Sequence, residues 1–338
     1  MLIRKLEAVF IVCVFVFSAF TAVFLFLPHQ QSSSIVQSKS PPYSTVNGSK
    51  TQSMATGADG TVGSLNTLSS NASNQQFVLN WVNRVAGISN SSIHNSPGET
   101  VALSQNQAYV AAASANGNIS LYSISGRLLW NFSTGEHVVS LAISSNGSYV
   151  AAAAGGSIYT IGTNGSLMWD YTITGYVAGG TTLSVVISPN NRFIAASAVG
   201  PSGDPTGDVY LFYSSNGTMV WQNDFGGSFV VIYQMAISFN QTSIFAVSGN
   251  GYASGGTVFD FNFSSGNVIW SYGLGSVGKH LSLDQNGNYI AVGTTGYGSG
   301  TLLLFRSNGS LLWTVTTYNV ASVGLSGNGS FLAAEAGN

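Results

Sequence analysis

Carboxylates are the first residues to test for chemistry. Downstream of residue 77 they are Glu99, Glu136, Asp170, Asp204, Asp208, Asp224, Asp260, Asp284 and Glu335. General acid–base or glycosidic cleavage needs two of them within reach of one bond, and their scatter along the chain specifies no such pair. Asp204-Pro205-Thr206-Gly207-Asp208, with Asp224 downstream, offers oxygen ligands for Ca²⁺. It lacks the ligand spacing of an EF-hand, so a Gly/Pro-shaped turn is expected there and no metal is assigned. His94, His137 and His280 lie too far apart in sequence to give metal-ligand spacing. Cys13 is the only cysteine, which excludes internal disulfides and a thiol site beyond the amino-terminal segment. The glycines punctuate strands rather than open a helix, so no phosphate-cradling loop is present. No catalytic residue and no cofactor are expected.

The elements that would position any site come from an internal repeat. The six tryptophans, Trp81, Trp130, Trp169, Trp221, Trp270 and Trp313, recur at one position of it. Its period, roughly 40 to 50 residues of strand-like content, implies a radial array of β-sheets. One unit reads Leu141-Ala142-Ile143-Ser144, a turn at Ser145-Asn146-Gly147, Tyr149-Val150-Ala151-Ala152, Ser157-Ile158-Tyr159-Thr160-Ile161, a turn at Asn164-Gly165, and Leu167-Met168-Trp169. These are four short strands, A to D, joined by tight turns whose Asn tolerates positive φ. The Ala recurring in strand B leaves room for a large side chain, and the repeated Trp suits that space.

Five units are complete. A sixth has only strand A at Ala321 to Leu325 and strand B at Phe331 to Ala334. Phe77-Val78-Leu79-Asn80-Trp81 matches an unaccompanied D strand, so it is expected to join the carboxyl-terminal pair and close the ring. The fold expected is all-β, a six-bladed β-propeller rather than a seven-bladed one, over residues 77–338.

Two segments carry a family resemblance. Asn308-Gly309-Ser310-Leu311-Leu312-Trp313 resembles propeller repeats of the quinoprotein (pyrroloquinoline quinone) type. Asp284-Gln285-Asn286-Gly287-Asn288-Tyr289-Ile290-Ala291 looks like WD-repeat proteins. The resemblance implies architecture. Propellers host dehydrogenases, hydrolases and docking platforms alike. Quinone-dependent members hold their cofactor with charged residues, Ca²⁺ and often cysteines, which this chain lacks or has sparsely. A quinoprotein-like oxidoreductase with its site at the channel mouth is therefore the alternative to a binding module.

In such a blade the A–B and C–D turns share one face of the disc, here the turn face, and the B–C and D–A connections share the other, the loop face. Long B–C connections at Val199 to Gly207, Gly249 to Gly256 and Gly293 to Gly300 mark the loop face as variable. The candidate binding residues are Asp204, Asp208, Tyr252, Tyr297, Tyr176 and Lys279, with His280 and Gln234 from a ring of polar residues near the strand-A starts (Thr100, Ser140, Ser184, Gln234, His280, Ser322). His280 beside Lys279 is expected to make the mouth cationic at low pH. The opposite face carries Asn-x-Ser/Thr sequons at Asn146, Asn164, Asn216, Asn240, Asn308 and Asn328, candidates for glycosylation.

Only 6% of residues are charged and the formal net charge is −2, so no basic surface for nucleic acid exists. A surface that depends so little on ionisation suits acidic surroundings. From Ala8 to Leu27 the chain runs without charge behind Arg4 and Lys5, long enough for one transmembrane helix. The flanking cations place the amino terminus in the cytoplasm and the rest outside. Residues 29–76, rich in Ser, Thr, Asn and Gln, read as a flexible tether. The expectation is a glycosylated cell-surface module of archaeal type, anchored at residues 1–28, with a protein or glycan partner.

Overall fold

The structure, a computed structural model, describes residues 11–17, 20–26, 100–114, 116–173, 182–199, 206–249 and 255–337. Among these residues all regular structure is β, in six four-stranded antiparallel sheets. Strands β1 (Ile11–Phe17) and β2 (Phe20–Phe26) come first in the chain. The first complete blade is β3 (Val101–Leu103), β4 (Tyr109–Ala113), β5 (Asn118–Ser123) and β6 (Leu128–Ser133). The second is β7 (Val138–Ile143), β8 (Tyr149–Ala154), β9 (Ser157–Gly162) and β10 (Leu167–Thr172). The third is β11 (Thr182–Ile187), β12 (Phe193–Val199), β13 (Thr206–Tyr213) and β14 (Met219–Phe229). The fourth is β15 (Val231–Ile237), β16 (Ser243–Gly249), β17 (Thr257–Asn262) and β18 (Val268–Gly273). The fifth is β19 (Val277–Leu283), β20 (Tyr289–Thr295), β21 (Gly300–Arg306) and β22 (Leu311–Thr317). The sixth sheet contains β23 (Asn319–Leu325) and β24 (Phe331–Gly337), with β2 and β1 completing the order β1-β2-β24-β23.

That last sheet corrects two expectations. The segment expected to be a helix forms two strands, and β2 pairs with β24 from Thr21 opposite Ala336 to Phe26 opposite Phe331. The strand beside β24 is thus Phe20–Phe26; residues 77–81, expected there, lie outside the described residues, as do the tether at 29–76 and His94. Composition accounts for the difference. A run rich in Val, Ile and Phe suits strands as well as a spanning helix, and an apolar run does not by itself separate the two. No helix among the described residues is long and apolar enough to cross a membrane.

The repeat's residues each have a local task. The Ser or Asp ending strand A accepts the backbone N–H five residues on. Tyr149 N donates to Ser144 Oγ at 3.0 Å, Phe193 N to Ser188 Oγ at 3.0 Å, and Tyr289 N to Asp284 Oδ1 at 2.8 Å. This side chain closes the A–B hairpin. The turn Asn then folds back as an Asx turn, with Ser148 N donating to Asn146 Oδ1 and Thr242 N to Asn240 Oδ1. Strand B is the most buried, and all six residues of β8 are inaccessible.

The tryptophans join blades. Four indole N–H groups donate to a backbone carbonyl of the next blade: Trp130 to Thr163, Trp169 to Ser214, Trp221 to Phe263 and Trp270 to Ser307, at 2.7 to 2.9 Å. The ring lies against the C–D turn glycine of that blade. A Cβ at Gly217, whose φ is +70°, would stand 2.7 Å from the Trp169 ring. The small residue facing each of these four tryptophans across the seam is therefore this glycine.

Candidate functional site

The inner strands β3, β7, β11 and β15 enclose a central cavity of about 390 Å³. Its walls are mainly Ala, Val, Ile, Leu and Met, with Ser140, Ser184 and Gln234 as the polar residues. A second cavity of about 340 Å³ lies between β15 and β19 and reaches the A–B turns at Phe239 and Gln285.

Polar residues at the strand-A starts are positioned by a repeated irregularity. The pairing of strands A and B slips between Val138 and Ser140, Thr182 and Ser184, Ile232 and Gln234, Gly278 and His280, and Val320 and Ser322. Each slip is a β-bulge, and the polar residue follows it directly. Three side chains near this seam then accept a neighbouring inner strand's N–H: Val185 N donates to Ser140 Oγ at 3.1 Å, Leu281 N to Gln234 Oε1 at 2.8 Å, and Leu325 N to Ser282 Oγ at 2.9 Å. Ser140 and Ser184 are buried. The polar ring thus supplies inter-blade hydrogen bonds at the channel as well as lining.

Family membership follows from this arrangement together with the sequence. Residues 58–251 match the family model described as outer membrane protein assembly factor BamB. The chain belongs to this family of PQQ-like β-propellers. Two solved structures share the fold. The crystal structure of the Myceliophteria thermophila Cps50 (Swd1) β-propeller domain matches with a TM-score of 0.51 and 11% identity, over 70% of this chain and 83% of that one. Kuenenia stuttgartiensis hydrazine synthase matches with a TM-score of 0.52 and 15% identity, over 69% of this chain and 79% of that one. At such identities the likeness extends to the fold alone. No protein with a curated description matches the chain.

On this BamB-like propeller the loop face brings together part of the predicted set. Lys279 Nζ stands 5.2 Å from the centre of the Tyr233 ring, a cation–π contact between two bulge residues of β19 and β15. Burial pushes the Lys279 ammonium below its usual range and the Tyr233 hydroxyl above its own. Burial, reinforced by the Lys279 charge, brings His280 down to about 4. His280 therefore adds its charge to the mouth only near pH 4 and below. Tyr297 is 86% exposed in its B–C connection. Tyr176, Asp204 and Tyr252 lie outside the described residues.

Asp208 and Asp224 face each other across β13 and β14. Tyr210 Oη donates to Asp208 Oδ2 at 2.7 Å and Gln222 Nε2 at 3.3 Å. Burial first, then the Asp224 charge, raises the Asp208 carboxyl above the usual range. Among the described residues no three His, Cys, Asp or Glu side chains converge on one point.

One ionisable group was missed from the sequence. Asp260 is 2% exposed on β17, directly opposite Trp270. Burial lifts its carboxyl to about 6, only partly offset by the Ser243 hydroxyl. Its Oδ1 meets no hydrogen-bond partner among the protein atoms. The positions opposite Trp130, Trp221 and Trp313 are Leu121, Leu211 and Leu304. Thr160 stands opposite Trp169, so aligning the repeats by their tryptophans exposes Asp260 as the one ionisable residue among the five.

Proposed function

We propose that this BamB-like propeller is a binding module of a cell surface, working outside the cytoplasm and receiving a protein or glycan partner on its loop face. The carrying observation is the contrast between a cavity walled by aliphatic, seryl and amide side chains and a loop-face rim that carries exposed tyrosines and the half-buried Lys279. Such a cavity wall brings no acid–base pair to a substrate, whereas Tyr is enriched at protein interfaces and among the residues that dominate their energy. The family description, an assembly factor of the outer membrane, fits a ring that holds other proteins.

The test is cross-linking of native membranes with the unaltered chain and with Tyr297→Ala and Lys279→Ala variants. Loss of one defined cross-linked partner in the variants supports the reading. An identical partner set in all three chains overturns it.

A further inference from the structure

The two faces differ in what they expose. On the loop side the large apolar residues in contact with solvent are three tyrosines, Tyr272, Tyr297 and Tyr318, each with a polar tip, and the single aliphatic Val101. On the turn side they are aliphatic or Phe, with Tyr213 the single tyrosine. Five consecutive D strands enter from the turn face with two apolar residues immediately before Trp130, Trp169, Trp221, Trp270 and Trp313. The first of the pair is exposed at Leu128, Leu167, Met219 and Val268, by 38 to 48%. The second falls where the pairing of strands C and D slips in all five blades. That bulge coincides with exposure of 39 to 54% for Met168, Ile269 and Leu312. Phe239 and Phe331, at A–B turns, add to the same side. Outer edge strands ordinarily carry charge near such positions.

Charge is segregated in the same way. Among the described residues the three arginines, Arg127, Arg192 and Arg306, are all exposed at turn-face turns. The carboxylate that ends a strand there, Asp284, is buried and accepts the Tyr289 N–H. Asp170, the nearest exposed carboxylate, stands mid-strand, roughly 10 Å from the start of β10 at the usual rise per residue. Glu136, Asp208 and Asp224 lie toward the loop face.

We propose that the turn face docks on an anionic lipid surface, the aliphatic belt entering the headgroup boundary and the arginines meeting lipid phosphates. A periodic rim of aliphatic side chains with cations and no exposed carboxylate at the turns is the composition of an interfacial anchor. A second copy fits worse, because two such faces would oppose six arginines with no carboxylate at the turns to pair them. This orientation leaves the loop face pointing away from the bilayer and does not depend on which partner that face receives.

The experiment is flotation of the full chain with phosphatidylcholine vesicles, with and without phosphatidylglycerol. Binding is expected to the anionic vesicles and to fall as salt rises. Replacing Arg127, Arg192 and Arg306 with Gln lowers partitioning by roughly fivefold per arginine. The exposed set Met168→Ser, Ile269→Ser and Leu312→Ser lowers it at every salt concentration, with unchanged melting temperature, while Tyr297→Ala floats like the unaltered chain. Flotation independent of lipid charge and untouched by both sets overturns the proposal, as does self-association in lipid-free buffer that the Ser set abolishes. Oligosaccharide on Asn146, Asn164 or Asn308 of native protein overturns it too, since a sugar at those turns would hold the belt off a bilayer.

Discussion

Two seams join neighbouring blades, and they are built on different rules. On the outer side the same indole reaches the same glycine turn and a backbone carbonyl at four successive junctions. At the channel the junctions use Ser140, Gln234 and Ser282, three residues from two positions of the repeat and of two chemistries. A contact aimed at backbone repeats without regard to its neighbours' side chains. The inner seam also targets backbone, but from two positions of strand A, directly after the bulge at Ser140 and Gln234 and further along the strand at Ser282, so the accepting side chain can be long or short. The disc can therefore keep its outer clamp while its channel lining changes.

The outer clamp should carry more energy. Trp169→Ala removes a ring that is 9% exposed together with its bond to Ser214, and a loss of about 3 to 5 kcal/mol is expected by chemical denaturation. Gly217→Ala attacks the same clamp from the other blade, through a strained φ and a Cβ pressed on the Trp169 ring. Its cost should not add to that of Trp169→Ala in the double variant. If the two losses do add in full, the clamp is not one unit.

Next in size is the buried Asp260, the one outer-seam position where a charge replaces Leu. Its folded value of about 6 against 3.8 means the folded chain holds a proton that the unfolded chain has lost, so stability falls as pH rises through that window. The shift of roughly two units corresponds to about 3 kcal/mol, which Asp260→Leu should recover at pH 7 and not at pH 4. His280, lowered from 6.5 to about 4, has the opposite sign: between those values only the unfolded chain is protonated, and stability rises with pH. Between about pH 4 and 6 the two slopes oppose each other, with Asp208 adding in the direction of Asp260. Thermal melts of the unaltered chain should be nearly flat there. Asp260→Asn should unmask a rise of stability with pH, its slope at most about 1.4 kcal/mol per pH unit between about pH 4 and 6.5 and flattening toward neutral pH.

The inner seam should cost less to break. Gln234→Ala leaves the Leu281 N–H without its acceptor, a loss of about 1 to 2 kcal/mol. Gln234→Glu keeps an acceptor at the same place and should recover part of it. A Gln234→Ala loss equal to that of Trp169→Ala would erase the distinction between the seams.

Legibility followed the same division. The Trp period and the Ser or Asp ending strand A were readable because each performs its task within a few residues or at a fixed period; the hairpin Asn was located but given the wrong task, since the positive φ falls on the residue after it and the Asn makes the Asx turn. The bulges before Ser140, Gln234 and His280 were not, since a slipped pair depends on the partner strand and leaves no mark in composition. Nor was the glycine opposite each indole, because the expectation sought its cavity in the Ala of strand B. The apolar segment at Ile11 to Phe26 misled for a third reason, that hydrophobicity and length do not specify helix over strand. Of the candidate site, Lys279, His280 and Gln234 were proposed from their position near the strand-A starts, whereas Asp260 departs from its repeat locally and was passed over.

The smallest effect separates turn chemistry from seam chemistry. Glycine takes the positive φ of the A–B turn at Gly147, Gly287 and Gly329, but Gln107, Asn191 and Gln241 take it at the equivalent place, with φ of 57°, 61° and 55°. A left-handed conformation costs an L-residue about 1 kcal/mol, while Gly adds a comparable entropy to the unfolded chain. Gln241→Gly should therefore raise stability by less than about 1 kcal/mol. The reverse change, Gly147→Gln, is not its mirror image, because a Cβ there would come within 2.4 Å of the Tyr109 ring in the preceding blade. It should destabilise by several times as much. Equal and opposite shifts from the two substitutions would mean that backbone strain alone governs these turns and that the contact with Tyr109 contributes nothing to the seam.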